Sequence, residues 1–268
     1  MRTPLEDIDW LTRSANRVEL LELLADEPHS RSDLQEAVGV TRVTMNRMVK
    51  DFEERGWVKD PGQEPRITPC GRLVLDNFEP LREAAATSQE LSDIQQYLPT
   101  DEFDFALSRL ADAEITYSSQ YDILAPVEES AEIAVGADRL RVVGNAPDSV
   151  HLQKASTLYE DGEGPHSVER VFTSGGLDTI AAKPELSRRL RNIAALDDVE
   201  CTYFRYDEAL SYGLQIADET VVLELFNEKG LIPAVVVTDN ETVLAWAQKR
   251  FKQYERASQL LDAAAFEA

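Results

Sequence analysis

The stretch Ser30 to Val58, SRSDLQEAVGVTRVTMNRMVKDFEERGWV, constrains this chain most, because its start and stop signals define two helices and the break between them. Ser30 followed by Asp33 pairs a hydroxyl N-cap with an acidic partner three residues on, and predicts a short helix carrying Leu34 and Ala37. Val38-Gly39-Val40 breaks that helix, Gly39 supplying the backbone freedom a tight turn needs. Thr41 then caps a second helix, expected to run to Arg55 and stop at Gly56. At about 100° per residue, Met45, Met48, Val49 and Phe52 share one stripe of this second helix. Arg42, Val43, Asn46, Arg47 and Lys50 fall on the opposite side.

The chain carries 50 acidic against 27 basic residues, a net charge of −23, so an ordinary surface helix should show acids outward. Thr41 to Lys50 instead holds Arg42, Arg47 and Lys50 and no acid. Arg and Asn hydrogen-bond guanine and adenine edges in the major groove, and an outward Val43 suits a thymine methyl. The plain alternative is a helical hairpin with a solvated basic face. Against it, Trp57-Val58-Lys59 and Arg66-Ile67-Thr68 are short β-rich runs around the turn signature Asp60-Pro61-Gly62, which predicts a β-hairpin. At this point the residues resemble the winged helix-turn-helix of archaeal and bacterial transcription regulators. The likeness is carried by GVTRVTMNRMVKDFEERGWV followed by ITPCGRLVL, and covers residues 1–78. It implies double-stranded DNA as partner, with Arg42, Thr44, Asn46, Arg47 and Lys50 facing the groove and Thr41 meeting a phosphate. Lys59 or Arg66, on the wing, would approach the flanking backbone.

A length of 268 residues with 43% apolar composition suits two ordinary domains. No apolar run reaches the roughly 18 to 20 residues of a membrane span, and MRTPLEDIDWL is too acidic for a signal peptide, so a cytoplasmic protein without a membrane partner is expected. Cys70 and Cys201 stand alone, with no His at zinc-ligand spacing, and indicate buried thiols instead of a disulfide or a metal site. The net charge argues against phosphate binding at ordinary ionic strength. Seven Lys against twenty Arg, with dispersed acids, points to a halophilic archaeon, in whose molar salt the Debye length shrinks to about 3 Å and only short-range contacts survive. Residues 1–80 carry 11 basic and 16 acidic side chains, net −5, leaving −18 of the −23 for the rest.

Ahead of the motif, Leu5, Ile8, Trp10 and Leu11 make an apolar start, and Asn16 is expected to cap a helix that Pro28 ends. After it, Gly71 to Phe78 reads as a helix and Leu81 to Leu98 as a second, polar one, with Leu91, Ile94 and Leu98 at helical spacing; residues 79–99 are thus read as a linker helix. From residue 100 to 268 helices alternate with β-rich runs, the mark of a separate α/β domain, so that the whole chain reads as a two-domain α+β / α/β protein. The predicted helices are Asp101 to Ala113, Val127 to Ala134, Glu185 to Leu196 and Glu241 to about Leu261. The predicted strands are Ile115 to Tyr117, Arg139 to Val143, Val168 to Thr173, Val199 to Arg205, Gly213 to Ile216, Val221 to Phe226 and Ile232 to Val237, with Gly175-Gly176 a turn. Leu244, Ala247, Phe251, Tyr254 and Leu261 form a stripe that packs on the chain's own sheet or on a second copy.

This half resembles the effector domain found with winged helices in haloarchaeal regulators of the methanogenesis-regulator (FilR) type. The likeness is carried by residues 212 to 258, YGLQIADETVVLELFNEKGLIPAVVVTDNETVLAWAQKRFKQYERAS, and by VERVFTSGGLDTI upstream. It implies a sequence-specific regulator controlled by a small molecule. A crevice at the strand ends of an α/β sheet is the place for such a ligand. Thr173, Ser174 and Gly175 after one strand, and Arg205, Tyr206 and Tyr212 around another, are the candidate ligand residues, Arg205 suiting a carboxylate or phosphate. Alternatively the tyrosines are core or rim aromatics, and Arg205 pairs with Asp207 or Glu208.

No enzyme is expected and no catalytic residue or cofactor is assigned. The histidines are His29, His151 and His166, and His151-Leu-Gln-Lys154 misses the His-x-Lys spacing of phospholipase-D-type nucleases. Gly162-Glu-Gly164 and Gly175-Gly176 make no nucleotide fingerprint. A winged helix that docks a protein instead of DNA is the other reading; acidic or apolar residues on the face of Arg42, Asn46, Arg47 and Lys50 would mark it. A homodimer is expected, since operator half-sites mirror a two-fold axis.

Overall fold

The computed structural model describes residues 2–27, 29–62, 64–146, 149–160 and 164–261, with the backbone alone for Ser149, His151, Ser156, Tyr159 and Glu160. The chain divides into two compact units, Met1–Ala85 and Ala86–Ala268.

The first unit contains α1 (Pro4–Thr12), α2 (Ala15–Asp26), α3 (Arg31–Val38), α4 (Arg42–Glu53), β1 (Val58–Lys59), β2 (Arg66–Ile67) and the start of α5 (Pro69–Glu90). Thr3 and Glu6 cap α1 reciprocally with Pro4 at its first position, where a missing N–H is harmless. The extended residue ahead of α2 is Ser14, so Asn16 lies inside the first turn and does not cap it. That helix ends at Asp26 with Glu27 extended, and Pro28 lies outside the described residues. Leu11, Leu20, Leu21, Leu34, Met45, Val49 and Phe52 are buried together as one core. Trp10 meets Phe52 edge-on at 5.0 Å, and the Arg55 guanidinium lies 3.7 Å over the Trp10 ring. β1 and β2 pair antiparallel, Val58 opposite Ile67 and Lys59 opposite Arg66.

Thr68 fixes how α5 leaves this hairpin: its hydroxyl donates to the Gly56 carbonyl at 2.6 Å and accepts from the Gly71 amide at 3.1 Å. Gly71 is required there, because a Cβ would stand 2.2 Å from the Trp57 carbonyl oxygen. The two helices expected over 71–78 and 81–98 are replaced by one, which continues through Pro80. Pro80 is exposed, and the lost hydrogen bond, about 3 kcal/mol within a helix, is offset by the strong helix formers that follow in LREAAA. The expected linker helix over 79–99 therefore ends at Glu90, and Leu91, Ile94 and Leu98 sit on consecutive turns with their side chains buried in the second unit's core.

The second unit adds β3 (Glu114–Tyr117), α6 (Ala125–Gly136), β4 (Arg139–Gly144), α7 (Ser149–Glu160), β5 (Ser167–Thr173), α8 (Ser174–Ala181) and α9 (Pro184–Ala194). Then come β6 (Glu200–Tyr206), β7 (Tyr212–Ala217), β8 (Thr220–Leu225), β9 (Ala234–Thr238), α10 (Glu241–Arg256) and β10 (Gln259–Leu260). The eight strands order as β10-β6-β5-β4-β7-β8-β9-β3, with β4, β5 and β6 parallel and every other pairing antiparallel. Alternation along the strands divides the core. Val143, Val171, Leu214, Ile216, Leu223 and Leu225 pack with Val243, Trp246, Ala247, Phe251 and Tyr254 of α10. Phe172 and Tyr203 pack with α7, α8 and α9, and Val142 with α6.

Cys70, expected as a buried thiol, is exposed, and Cys201 is half-buried. Three expected elements are corrected as well. Asp101 to Ala113 is not a helix but two single 3-10 turns, Thr100–Glu102 and Leu107–Leu110. Phe103 and Phe105, two apart, stack on each other at 4.6 Å and both meet Trp246 edge-on, which a helix would forbid. Gly175-Gly176 is not a turn but the first turn of α8. The last helix stops at Arg256; β10 follows, and the Leu261 amide donates to the Tyr203 carbonyl at 2.8 Å, so the stripe from Ala247 to Tyr254 packs on the chain's own sheet without Leu261.

Candidate nucleic-acid interface

The helix pair α3–α4 is built by its caps. The Ser30 hydroxyl accepts from the Asp33 amide at 3.2 Å while the Asp33 carboxylate accepts from the Ser30 amide at 3.2 Å. The Ser30 hydroxyl also donates to that carboxylate, and these bonds, the side-chain one first, hold Asp33 below the usual carboxylate range. Gly39, at φ +66, closes α3 in the left-handed conformation. Thr41, extended, opens α4 by accepting from the Thr44 amide at 3.2 Å.

Met45, Met48, Val49 and Phe52 are buried, and Thr41, Arg42, Val43, Asn46, Arg47 and Lys50 are exposed, with Thr44 intermediate. Val43 is 79% exposed, an apolar side chain on an otherwise polar face. Among the described residues Arg42 and Arg47 form no ion pair, whereas Lys50 lies 3.9 Å from Glu54. Lys59 and Arg66 stand opposite each other on the hairpin, both exposed, Arg66 being 3.2 Å from Glu64.

One residue of this surface escaped sequence reasoning. Arg31, at the first position of α3, donates from Nη1 to Asn46 Oδ1 at 2.6 Å and pairs through Nη2 with Asp60, in the turn after β1. The Asp60 side chain is only 5% exposed, and its amide donates to Glu53 at the end of α4. No periodicity links residues 15 and 29 positions apart in the chain. The only signal was a cation in a first helical turn, where the dipole disfavours it.

In the second unit, the sequence-predicted ligand residues lie where β4, β5 and β6 end. Thr173 caps α8, accepting from the Gly176 amide at 3.0 Å and donating to Asn145 Oδ1 at 2.9 Å. Gly176 must lack a side chain, since a Cβ would be 2.7 Å from the Ala146 amide nitrogen; Gly175 has open space. Arg205 Nε donates to Asp207 at 2.9 Å and to the Ser174 hydroxyl at 3.2 Å. Ser174 also donates to Asp207, and the two donors, Ser174 first, hold that carboxyl below its ordinary value. Arg205 is thus paired with Asp207, the alternative raised by the sequence, and Tyr206 donates to Glu208 at 3.0 Å.

Tyr212 is drawn apart from this group. It is buried, its hydroxyl donates to Glu102 at 2.7 Å, and burial pushes its pKa far above the usual phenol range. Glu102 also accepts from Arg250 Nε at 3.0 Å and from the Tyr254 hydroxyl at 3.4 Å, while Trp246 donates to its backbone carbonyl at 2.9 Å. An apolar cavity of about 70 Å³ lies elsewhere, lined by Leu140, Leu152, Val168, Leu190, Ile193 and Tyr203 among others. Of the histidines, His166 Nδ1 is 2.8 Å from Asp138 at the surface, and the His151 side chain, like Gly162 and Glu163, lies outside the described residues.

No helix of the described residues is long and apolar enough to cross a membrane. No curated protein gives a significant match to the chain. Among solved structures, the chain is similar to TrmBL2, described as an archaeal chromatin protein with a novel mode of DNA binding, at 12% identity and a TM-score of 0.40, over 97% of this chain and 100% of that one. It is also similar to Nuc from Salmonella typhimurium, a phospholipase D family member, at 14% identity and a TM-score of 0.40, over 56% of this chain and 97% of that one. NucT from Helicobacter pylori aligns at 8% identity and a TM-score of 0.40, over 56% of this chain and 98% of that one. The family profiles are more specific: residues 5–90 match the HVO_A0261 N-terminal domain, and residues 123–257, half of the chain, match the middle domain of methanogenesis regulatory protein FilR1. The chain therefore belongs to the family that carries the FilR1 middle domain, here preceded by an HVO_A0261-type N-terminal domain.

Proposed function

We propose that this protein is a sequence-specific, DNA-binding transcription regulator whose first unit works as a winged helix-turn-helix. The observation that carries the reading is the outer face of α4: Arg42, Asn46, Arg47 and Lys50 are exposed without an acid between Thr41 and Lys50, in a chain of net charge −23. Arg and Asn side chains suit base edges, and Thr41 at the helix start suits a phosphate, as Lys59 and Arg66 do on the wing. Val43 suits a thymine methyl, and Thr44 lines the same approach. The regulator acts on double-stranded DNA as a homodimer in the cytoplasm of a halophilic archaeon, where molar salt screens the acidic surface and leaves hydrogen-bond-range contacts.

Its second unit takes a small anionic effector at the ends of β5 and β6. Thr173, Ser174 and Gly175 supply the first turn of α8, Arg205 the charge and Tyr206 a rim, while Tyr212, bound to Glu102 in the core, takes no part. An anion that engages Arg205 must displace Asp207.

Selection of bound duplexes from a randomised library in molar KCl tests the DNA reading. A shared sequence retained by the parent and lost on Arg42→Ala/Arg47→Ala is the expected result. A parent that retains no duplex, or a double variant that retains the same sequence as well as the parent, refutes it.

A further inference from the structure

We propose that Arg31 decides which base Asn46 reads, turning it from an adenine reader into a guanine reader. This inference rests on the DNA-binding reading of α4. A guanidinium has donors only, so the Asn46 atom 2.6 Å from Arg31 Nη1 is the amide oxygen, and the orientation of the amide is fixed. Its Nδ2, with no protein partner among the described residues, is the group left for an outside acceptor. An unconstrained Asn bonds adenine with both groups, donating to N7 and accepting from the N6 amino group. Here one lone pair of Oδ1 is already taken and a cation stands beside it. An adenine amino group approaching that oxygen meets a positive charge, whereas guanine offers N7 and O6, both acceptors, to Nδ2.

Arg31 is held for this task from its other side. Nη2 pairs with Asp60, whose side chain is 5% exposed, and the Asp60 amide is tied to Glu53 of α4. The clamp joins the start of α3, the middle and end of α4 and the hairpin turn, so the guanidinium cannot follow Asn46 into a new rotamer without breaking the pair with Asp60. Arg31 is a positioning residue, and Asn46 the residue that determines the base.

The same selection from randomised duplexes in molar KCl tests this with Asn46→Ala, Arg31→Met and Arg31→Met/Asp60→Asn. The double variant leaves no carboxylate unpaired if the single one fails to melt cooperatively. The parent should prefer guanine over adenine at one base pair, and Asn46→Ala should lose preference at that pair alone. Freeing Oδ1 should shift the guanine-to-adenine ratio there about tenfold toward adenine, the scale of one bidentate contact. Adding Asn46→Ala to the Arg31 variant should erase the shift, which a merely structural role of Arg31 would not produce. A parent that already selects adenine at the Asn46-dependent pair, or a folded Arg31 variant that keeps guanine, overturns the proposal. A parent that selects nothing ends the DNA reading itself, a different result from binding with unchanged preference.

Discussion

Arg47 and Thr41 belong to the same helix but make different demands on a bound duplex. Arg47 stands on the exposed face of α4 without an ion pair among the described residues, while the Thr41 hydroxyl oxygen is committed to the Thr44 amide. Arg47→Ala should cost roughly 1 to 3 kcal/mol on the preferred duplex and relax preference at one base pair. Lys59→Ala or Arg66→Ala, at hairpin residues proposed to meet the DNA backbone, should weaken all sequences alike and flatten the dependence on salt. Competition titrations against scrambled duplexes separate the two. Uniform weakening by Arg47→Ala would show that α4 is set in the groove in another way. Thr41→Ala acts on the fold first, by about 0.5 to 2 kcal/mol for a lost cap. A fall in the melting midpoint should accompany any loss of affinity, and an unchanged midpoint would show that the cap is dispensable. The residue types of this face and their division from Met45, Met48, Val49 and Phe52 were legible in the sequence, because helical spacing is a local property. The grip of Arg31 on Asn46 and Asp60 was not, because tertiary approach alone creates it.

Elements were legible where one local rule dominates, and were misread where two compete. Capping box and left-handed glycine in α3, and the Thr41 cap and apolar stripe in α4, agree with one another. The helices start where those signals put them, although α4 ends at Glu53, two residues before the expected Arg55. Over Asp101 to Ala113 the apolar content suggested a helix, yet Phe103 and Phe105 are spaced by two and serve an aromatic cluster with Trp246. Gly175-Gly176 carried a turn signature, but Thr173 caps at that point and the glycines become helical. The reason for a glycine there is close approach at one position only, which gives a paired prediction. Gly176→Ala should destabilise by about 1 to 3 kcal/mol or more, the scale of overpacking, because its Cβ would lie 2.7 Å from the Ala146 amide nitrogen. Gly175→Ala meets open space and should be neutral or stabilising by up to about 1 kcal/mol. Gly71→Ala, at 2.2 Å from the Trp57 carbonyl oxygen, should resemble Gly176→Ala in the first unit. Urea unfolding of the three variants checks this, and equal effects at 175 and 176 would mean that α8 starts elsewhere.

The proposed effector turns on the second unit as a whole, because its site is already occupied from within. Asp207 holds Arg205 at 2.9 Å, with Ser174 bridging them, so an anion is bound only if it outcompetes a carboxylate two residues away. A metabolite that does so should raise the melting temperature by mass action, and Arg205→Ala should remove that rise without unfolding the chain. Asp207→Asn should enlarge the rise, since the competitor loses its charge. A panel of sugar phosphates and organic acids followed by thermal melting reads both outcomes. A response that survives Arg205→Ala, or one that Asp207→Asn leaves unchanged, would place the effector away from this corner.

At the same scale, charge sets the conditions under which either unit stays folded. With −18 of the −23 outside residues 1–80, mutual repulsion of carboxylates acts mostly on the sheet unit, whose ion pairs are largely surface ones such as Lys154 with Glu132 and Arg189 with Glu185. Surface pairs contribute at most about 1 kcal/mol each and cannot offset such an excess in dilute buffer. Added KCl shortens the Debye length from about 10 Å at 0.1 M to about 3 Å at 1 M, which removes repulsion between distant acids while contacts at hydrogen-bond range persist. The melting temperature should therefore rise steeply over that range and more slowly above it, where screening is nearly complete. Salt also strengthens apolar burial in proportion to how strongly its anion is excluded, so potassium chloride and potassium sulfate must be compared at equal ionic strength. Screening predicts similar gains from the two in the lower range, and divergence only above it. A midpoint that is flat in chloride but rises in sulfate would mean that repulsion is not what limits this fold, and that the acidic surface serves hydration or solubility instead.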